Sequence, residues 1–117
     1  MTVQFDVRYI ESTQYIDWEE FVRYQSPDPW DDYGWFTVTV GEVGDEAGSN
    51  FQVCVATPRA VGRMKRLGER PGILVDHYDP ETVERAIIEK VTALKGNDYQ
   101  DVIDQLRKFM HWEYEGM

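Results

Sequence analysis

Asp76, His77 and Asp79 bring a histidine close to carboxylates, and a His–Asp pair could supply a general base or part of a metal site. The spacing argues against both uses. Neighbouring strand residues point to opposite faces, so Asp76 and His77 diverge. Asp79 followed by Pro80 reads instead as the cap of a helix. His111 has Glu113 as its nearest candidate partner and reads as an ordinary polar surface residue. Cys54 is the single cysteine, so no internal disulfide can form. It lies in a strand-like stretch without a neighbouring base, which suits a small packed thiol better than a nucleophile. No catalytic constellation, cofactor site or metal site is expected.

Other ligand chemistries are equally thin. Gly62 and Gly68 lack the Gly-Lys-Ser/Thr sequence of a phosphate loop. Gly41, Gly44 and Gly48 stand among acids that would repel phosphate, and they suit a hairpin. Asp28, Asp31 and Asp32 lack the regular ladder of a calcium loop. Arg59, Arg63, Lys65, Arg66 and Arg70 form a basic face without interleaved aromatics, which reads as a solvated helix surface paired with nearby acids. The stretch Pro27 to Trp35, P-D-P-W-D-D-Y-G-W, is more suggestive. Tryptophan and tyrosine anchor protein interfaces, and carboxylates beside them steer a basic partner. Asp28, Trp30, Asp31, Asp32, Tyr33 and Trp35 are therefore the candidate contact residues. The plainer reading is that Trp30 and Trp35 cover a sheet edge.

The elements that must position these residues follow from periodicity. Val3, Phe5, Val7 and Tyr9 alternate with polar residues, so the chain opens with a strand burying that set. Glu11 to Gly34 carries Pro27, Pro29 and seven acids and reads mostly as an ordered surface excursion, with a helical turn within 17–24. A second strand runs from Trp35 to Val43 with Phe36, Val38 and Val40 inward, and Gly44 to Gly48 closes a hairpin. Phe51, Val53 and Val55 mark the inner face of a third strand that ends at Thr57. The Thr57 hydroxyl would cap a helix with Pro58 in its first turn, from Pro58 to about Glu69. Ile73, Leu74 and Val75 read as a fourth, well-covered strand.

Asp79 caps a helix reaching Lys95, with Val83, Ile87, Val91 and Leu94 inward and Gly96 as its stop. Asn97 with Gln100 resembles a capping box for a last helix, whose face is Tyr99, Val102, Ile103, Leu106, Phe109 and Met110. His111 to Glu115 would be a short edge strand or an extended tail. Together these predict a two-layer α+β fold: a mainly antiparallel sheet of about four strands, packed on one face by two C-terminal helices, with a short helix after the third strand. With 117 residues, 42% of them hydrophobic and 14% aromatic, residues 1–117 are expected to form one domain with a real core.

Charge is uneven: residues 1–50 hold 11 acids and 2 bases, residues 51–75 hold 1 and 5, and residues 76–117 hold 10 and 5. The net charge of −10 repels nucleic acid and favours a basic protein as partner. Acidity alone also serves solubility. No apolar run suffices for a membrane span, and the N-terminal M-T-V-Q-F-D-V-R has no leader character, so a cytoplasmic protein without a membrane partner is expected.

The strand-to-helix junction F-Q-V-C-V-A-T-P, the P-D-P-W-D-D before a strand, the helix start D-H-Y-D-P-E-T and the closing H-W-E-Y-E together resemble the immunity protein 8 family of bacterial polymorphic toxin systems. The likeness lies in their order across nearly the whole chain. It implies a protein made beside a toxin, which neutralises that toxin by binding it in the producing cell, without a cofactor. Many toxins of such systems are nucleases, which suits an acidic inhibitor. The basic helix after Pro58 departs from the family pattern. Two other classes stand beside this reading: a small enzyme using Asp76, His77 and Asp79 or the pair His111 and Glu113, and a self-associating adaptor pairing through Trp35, Thr37, Thr39 and Cys54.

Overall fold

The computed structural model describes residues 2–13, 18–23 and 25–112. In chain order the elements are β1 (Val3–Ser12), α1 (Trp18–Val22), β2 (Tyr33–Glu42), β3 (Ser49–Ala56), α2 (Pro58–Arg66), β4 (Ile73–Leu74), α3 (Pro80–Thr92), β5 (Lys95–Gly96), α4 (Tyr99–Leu106) and β6 (His111–Trp112). The fold is α+β. Its sheet runs β4-β3-β2-β1-β5, and β6 pairs with β3 off that path. The β3–β4 pairing is parallel, so the sheet is mixed. Six strands stand where about four were expected. Of the two-residue additions among the described residues, β5 was not expected, whereas β6 begins at His111, where a short edge strand or an extended tail was expected.

The β2–β3 hairpin is regular from Tyr33↔Ala56 to Val40↔Ser49. It buries Phe36, Val38 and Val40 against Phe51, Val53 and Val55, the faces that alternation assigned. β1 departs from its pattern. Val7 pairs with Val40 but Tyr9 with Thr39, so Arg8 is an extra residue in a bulge. Beyond it the inward positions become Ile10 and Ser12, while Tyr9 is 70% exposed. Arg8 is tied down by Asp6 and by the carbonyls of Glu42 and Asp45.

Val83, Ile87 and Val91 of α3 and Val102, Ile103 and Leu106 of α4 share one core cluster with the inner sheet face. Asp79 accepts from the Thr82 N–H at 2.9 Å and caps α3 as expected. That helix stops at Thr92, however, which frees Lys95 and Gly96 to pair with β1. α4 is capped by Asp98, one residue later than expected: Asp98 accepts from the Asp101 N–H at 2.8 Å, and Asp101 reaches back to the Asn97 N–H at 2.9 Å.

Three expectations about coverage change. Within the acidic excursion, Phe21 of α1 is fully buried among Trp18, Phe36 and Tyr78 and belongs to the core. β4 lies at the end of the sheet path, where Leu74 is 57% exposed rather than covered. α2 sits on the other side of the sheet from the main core, where Ala60 and Met64 bury Cys54 and Ala56. Alternation put Cys54 and Ala56 on the outer face correctly. The sheet is nonetheless covered on both faces at that end.

Candidate functional site

The acidic, tryptophan-bearing stretch runs into β2 beside the start of α2. Its shape comes from short backbone interactions. Asp28 Oδ1 accepts from the Trp30 N–H at 3.2 Å, and the Asp28 carbonyl accepts from the Asp31 N–H at 3.0 Å, so residues 28–31 make a tight turn with Pro29 inside it. Asp32 faces inward: one oxygen accepts from Ser26 at 2.6 Å and the other from the Tyr33 N–H at 2.8 Å.

Thr57 holds this turn to the helix. It stands at the N-cap of α2, but its hydroxyl does not cap the helix, contrary to expectation. It accepts instead from the Asp32 N–H at 3.1 Å, while the Thr57 N–H donates to the Asp32 carbonyl at 3.0 Å. Thr57 is fully buried, so the contact is sheltered from water.

The six candidate contact residues therefore occupy three surroundings rather than one patch. Trp30 is 55% exposed and meets the His77 ring in a T-shaped contact with centroids 5.1 Å apart. Asp28 is exposed, and Asp31 pairs with Arg63 of α2 at 2.6 Å. Arg63 also lies over the Tyr33 ring, 5.7 Å from its centroid. Tyr33 and Trp35 point to the α2 side of the sheet, packed against Cys54, Ala56, Ala60 and Met64.

Glu69 was missed by sequence reasoning, and it organises this side. Its Oε1 accepts from the Trp35 indole N–H at 3.0 Å, and its Oε2 is buried. Burial raises the Tyr33 phenol above its ordinary value, and the adjacent Glu69 carboxylate raises it further. The Cys54 thiol is pushed up to about 12, first by burial and then by the Glu69 charge. Cys54 is 1% exposed and remains a neutral packing group.

Gly68 delivers Glu69 to that position. It ends α2 at φ 75°, with its N–H donating to the Lys65 carbonyl and the Glu69 N–H to the Met64 carbonyl, at 3.1 and 2.9 Å. This paired pattern closes a helix and folds the next residue back along it. The only earlier signal was Gly68 after a helical run.

His77 and Asp79 do meet, with Nδ1 and Oδ2 2.6 Å apart, while Asp76 is exposed and stands outside the pair. Burial alone would raise the Asp79 carboxyl, but hydrogen bonds from Thr82 and His77 outweigh it and hold the group below its ordinary value. The contact engages Nδ1 and leaves Nε2 outside it. Yet the His77 and Asp79 side chains are 42% and 35% exposed, so the pair is half-solvated, and Trp30 packs beside it. Of the other acid–base candidate, His111 pairs with Gln52 in β6, whereas Glu113 lies outside the described residues.

Among the described residues no three metal-ligating side chains converge, and no helix is long and apolar enough to cross a membrane. Of the outer-face residues Trp35, Thr37, Thr39 and Cys54, Trp35 and Cys54 pack with Ala60 and Met64 of α2, and Thr39 bonds to Asn50 across the hairpin at 2.6 Å.

Neither a curated protein nor a solved structure matches the chain. A match to Imm8, immunity protein 8, extends over residues 7–117, from β1 through the C-terminal aromatic–acidic stretch. The chain therefore belongs to the immunity protein 8 family.

Proposed function

We propose that this immunity protein neutralises one cognate toxin domain by stoichiometric binding, in the cytoplasm of the bacterium that makes both, as part of a polymorphic toxin system. The family match across residues 7–117 carries the reading. Charge supports a basic toxin: at −10 this chain repels polyanions and attracts a positively charged domain, and long-range attraction of that kind speeds association. A nuclease suits the description, because an active site built for phosphate is itself positive.

On this reading Trp30 is the anchor of the contact surface, with Asp28 and Asp31 steering the partner toward it. Asp32, Tyr33 and Trp35 hold the surface in shape through Thr57, Arg63 and Glu69. A preformed turn of this kind loses little freedom on binding. The test is co-expression of the toxin domain encoded beside this protein, with and without it. Growth restored only in its presence supports the reading; equal toxicity in both cultures refutes it.

A second reading, acid–base catalysis by a small enzyme, rests on the short His77–Asp79 contact. It requires the protein to act repeatedly on its target, whereas an inhibitor acts once per copy.

A further inference from the structure

β1 has an edge that the sheet leaves largely open. On one side it pairs with β2 from Phe5 to Ser12, but on the other β5 meets only Val3 and Gln4. Beyond Gln4, no strand among the described residues pairs with that edge. Two hydrogen bonds show which backbone groups lie on it. The Gln4 carbonyl accepts from the Val43 N–H at 2.9 Å, and the Thr13 N–H donates to the Trp35 carbonyl at 3.0 Å. Antiparallel bonding alternates along a strand, and the bulge at Arg8 shifts its phase once. The N–H and C=O of Val7 and of Ile10 are therefore turned away from β2.

Beside this edge lies a groove of about 310 Å³ between β1, α1 and α3. Its apolar wall is Val7, Tyr9 and Ile10 of β1, Trp18 of α1 and Ile88 of α3. Tyr9 and Ile88 are exposed, so the groove opens to solvent. Glu84 lines it one turn before Ile88 and makes no ion pair among the described residues. Glu11 is exposed on the same outer face of β1 as Tyr9. The lining also contains Arg8, but that side chain is already held by Asp6 and by the carbonyls of Glu42 and Asp45. Arg85 of α3 is exposed as well and does not line the groove.

We propose, resting on the toxin-binding reading, that this edge takes an extended segment of the toxin domain in which apolar residues alternate with lysine or arginine. The added strand exchanges main-chain hydrogen bonds with Val7 and Ile10. Its side chains point to two faces. Those on one face fill the groove over Trp18 and Ile88, where Glu84 repels an acidic residue. Those on the other lie beside Tyr9 and Glu11, where a cation meets an aromatic ring and a carboxylate. The Arg8 bulge keeps the regular run short, so these side chains carry more of the affinity than a long ladder would. A second copy of this chain is disfavoured at the edge, because it brings the same acids and the same net charge of −10.

The test follows amide hydrogen exchange in the full chain, isotopically labelled, alone and in complex with the toxin domain encoded beside it. The Val7 and Ile10 N–H groups should exchange about tenfold or more slowly in the complex. Glu11→Lys with Ile88→Lys, both at exposed positions, should raise the toxin Kd about tenfold or more, whereas Glu46→Lys in the β2–β3 loop should raise it less than about threefold. Thermal melts check that the double variant folds; if it does not, exchange in the unaltered chain decides. A complex in which Val7 and Ile10 exchange as they do in the free chain, or one that tolerates the folded double variant, overturns the inference and leaves the toxin-binding reading standing. Absence of any complex removes both. Slow exchange of the two groups in the free chain, together with a dimer mass by light scattering, assigns the edge to a second copy and also overturns the inference.

Discussion

The Trp30 indole meets the His77 imidazole in a T-shaped contact with ring centroids 5.1 Å apart, and beneath it the Tyr78 N–H donates to the Pro29 carbonyl at 2.7 Å. The acidic turn before β2 is thus fastened to the segment that starts α3, although the two are far apart in sequence. Trp30 remains 55% exposed at this junction, a large aromatic surface held in place but not buried. Trp30→Ala should weaken the toxin complex by about 2 kcal/mol, roughly a thirtyfold rise in Kd, with little change in thermal midpoint. Calorimetric titration paired with thermal melts checks this; unchanged affinity would move the interface elsewhere. Asp31→Lys is a poorer probe, since it also removes the partner of Arg63.

Asp79 links helix capping to acid stability. Its carboxyl lies below the ordinary value of 3.8, so the folded state favours the carboxylate. That stabilisation is complete above about pH 4 and is lost as the pH falls through the lowered folded value. Asp79→Ala should cost about 1 kcal/mol at neutral pH through the lost cap. It should also flatten the decline of stability below about pH 4. Denaturant melts across an acidic series measure both effects, and parallel curves for the two proteins would exclude Asp79 as a source of the decline.

Cys54 should resist alkylation. With its thiol pushed up to about 12 and its side chain 1% exposed, almost no accessible thiolate exists in the folded protein near neutral pH. Iodoacetamide should label it at a rate set by unfolding, rising sharply in denaturant. Glu69→Gln removes the second cause of the shift and should bring the thiol partly down. Rapid labelling of the native protein would contradict the burial described here.

The two glycines of α2 and its terminus should respond oppositely to alanine. Gly68 sits at φ 75°, where a Cβ costs about 1–2 kcal/mol, and Gly68→Ala should destabilise by that amount while disturbing the Glu69–Trp35 contact. Gly62 lies inside the helix with nothing within 4 Å of its prospective Cβ, so Gly62→Ala should stabilise by about 0.5–1 kcal/mol. Chemical denaturation of the two variants gives the comparison directly.

Local chemistry in the sequence revealed what local chemistry decides. The hairpin faces, the Asp79 cap and the α3 stripe are each set by residues within a few positions of one another, and each stands where periodicity placed it. Long-range choices left no such trace. The Arg8 bulge reverses the facing of Tyr9, and the adjacent apolar pair Tyr9 and Ile10 breaks the alternation there without saying which of the two faces inward, because tyrosine suits either side of a sheet. Thr57 has the right type and place for a cap, yet its hydroxyl is taken by Asp32, 25 residues earlier. Glu69 reads as one acid among basic neighbours until the fold brings it to Trp35, 34 residues away. The candidate contact residues were legible as a composition, but which of them faces outward is decided by Thr57, Arg63 and Glu69.

The central claim, inhibition by one-to-one binding, is tested most directly by titrating the purified cognate toxin with this protein while following toxin activity and complex formation together. The account predicts that activity disappears at one equivalent, as a single complex of one copy each forms, and that toxin recovered from the complex is active again. Loss of activity at a small fraction of an equivalent, leaving a toxin that stays inactive after separation, would contradict it and favour catalysis.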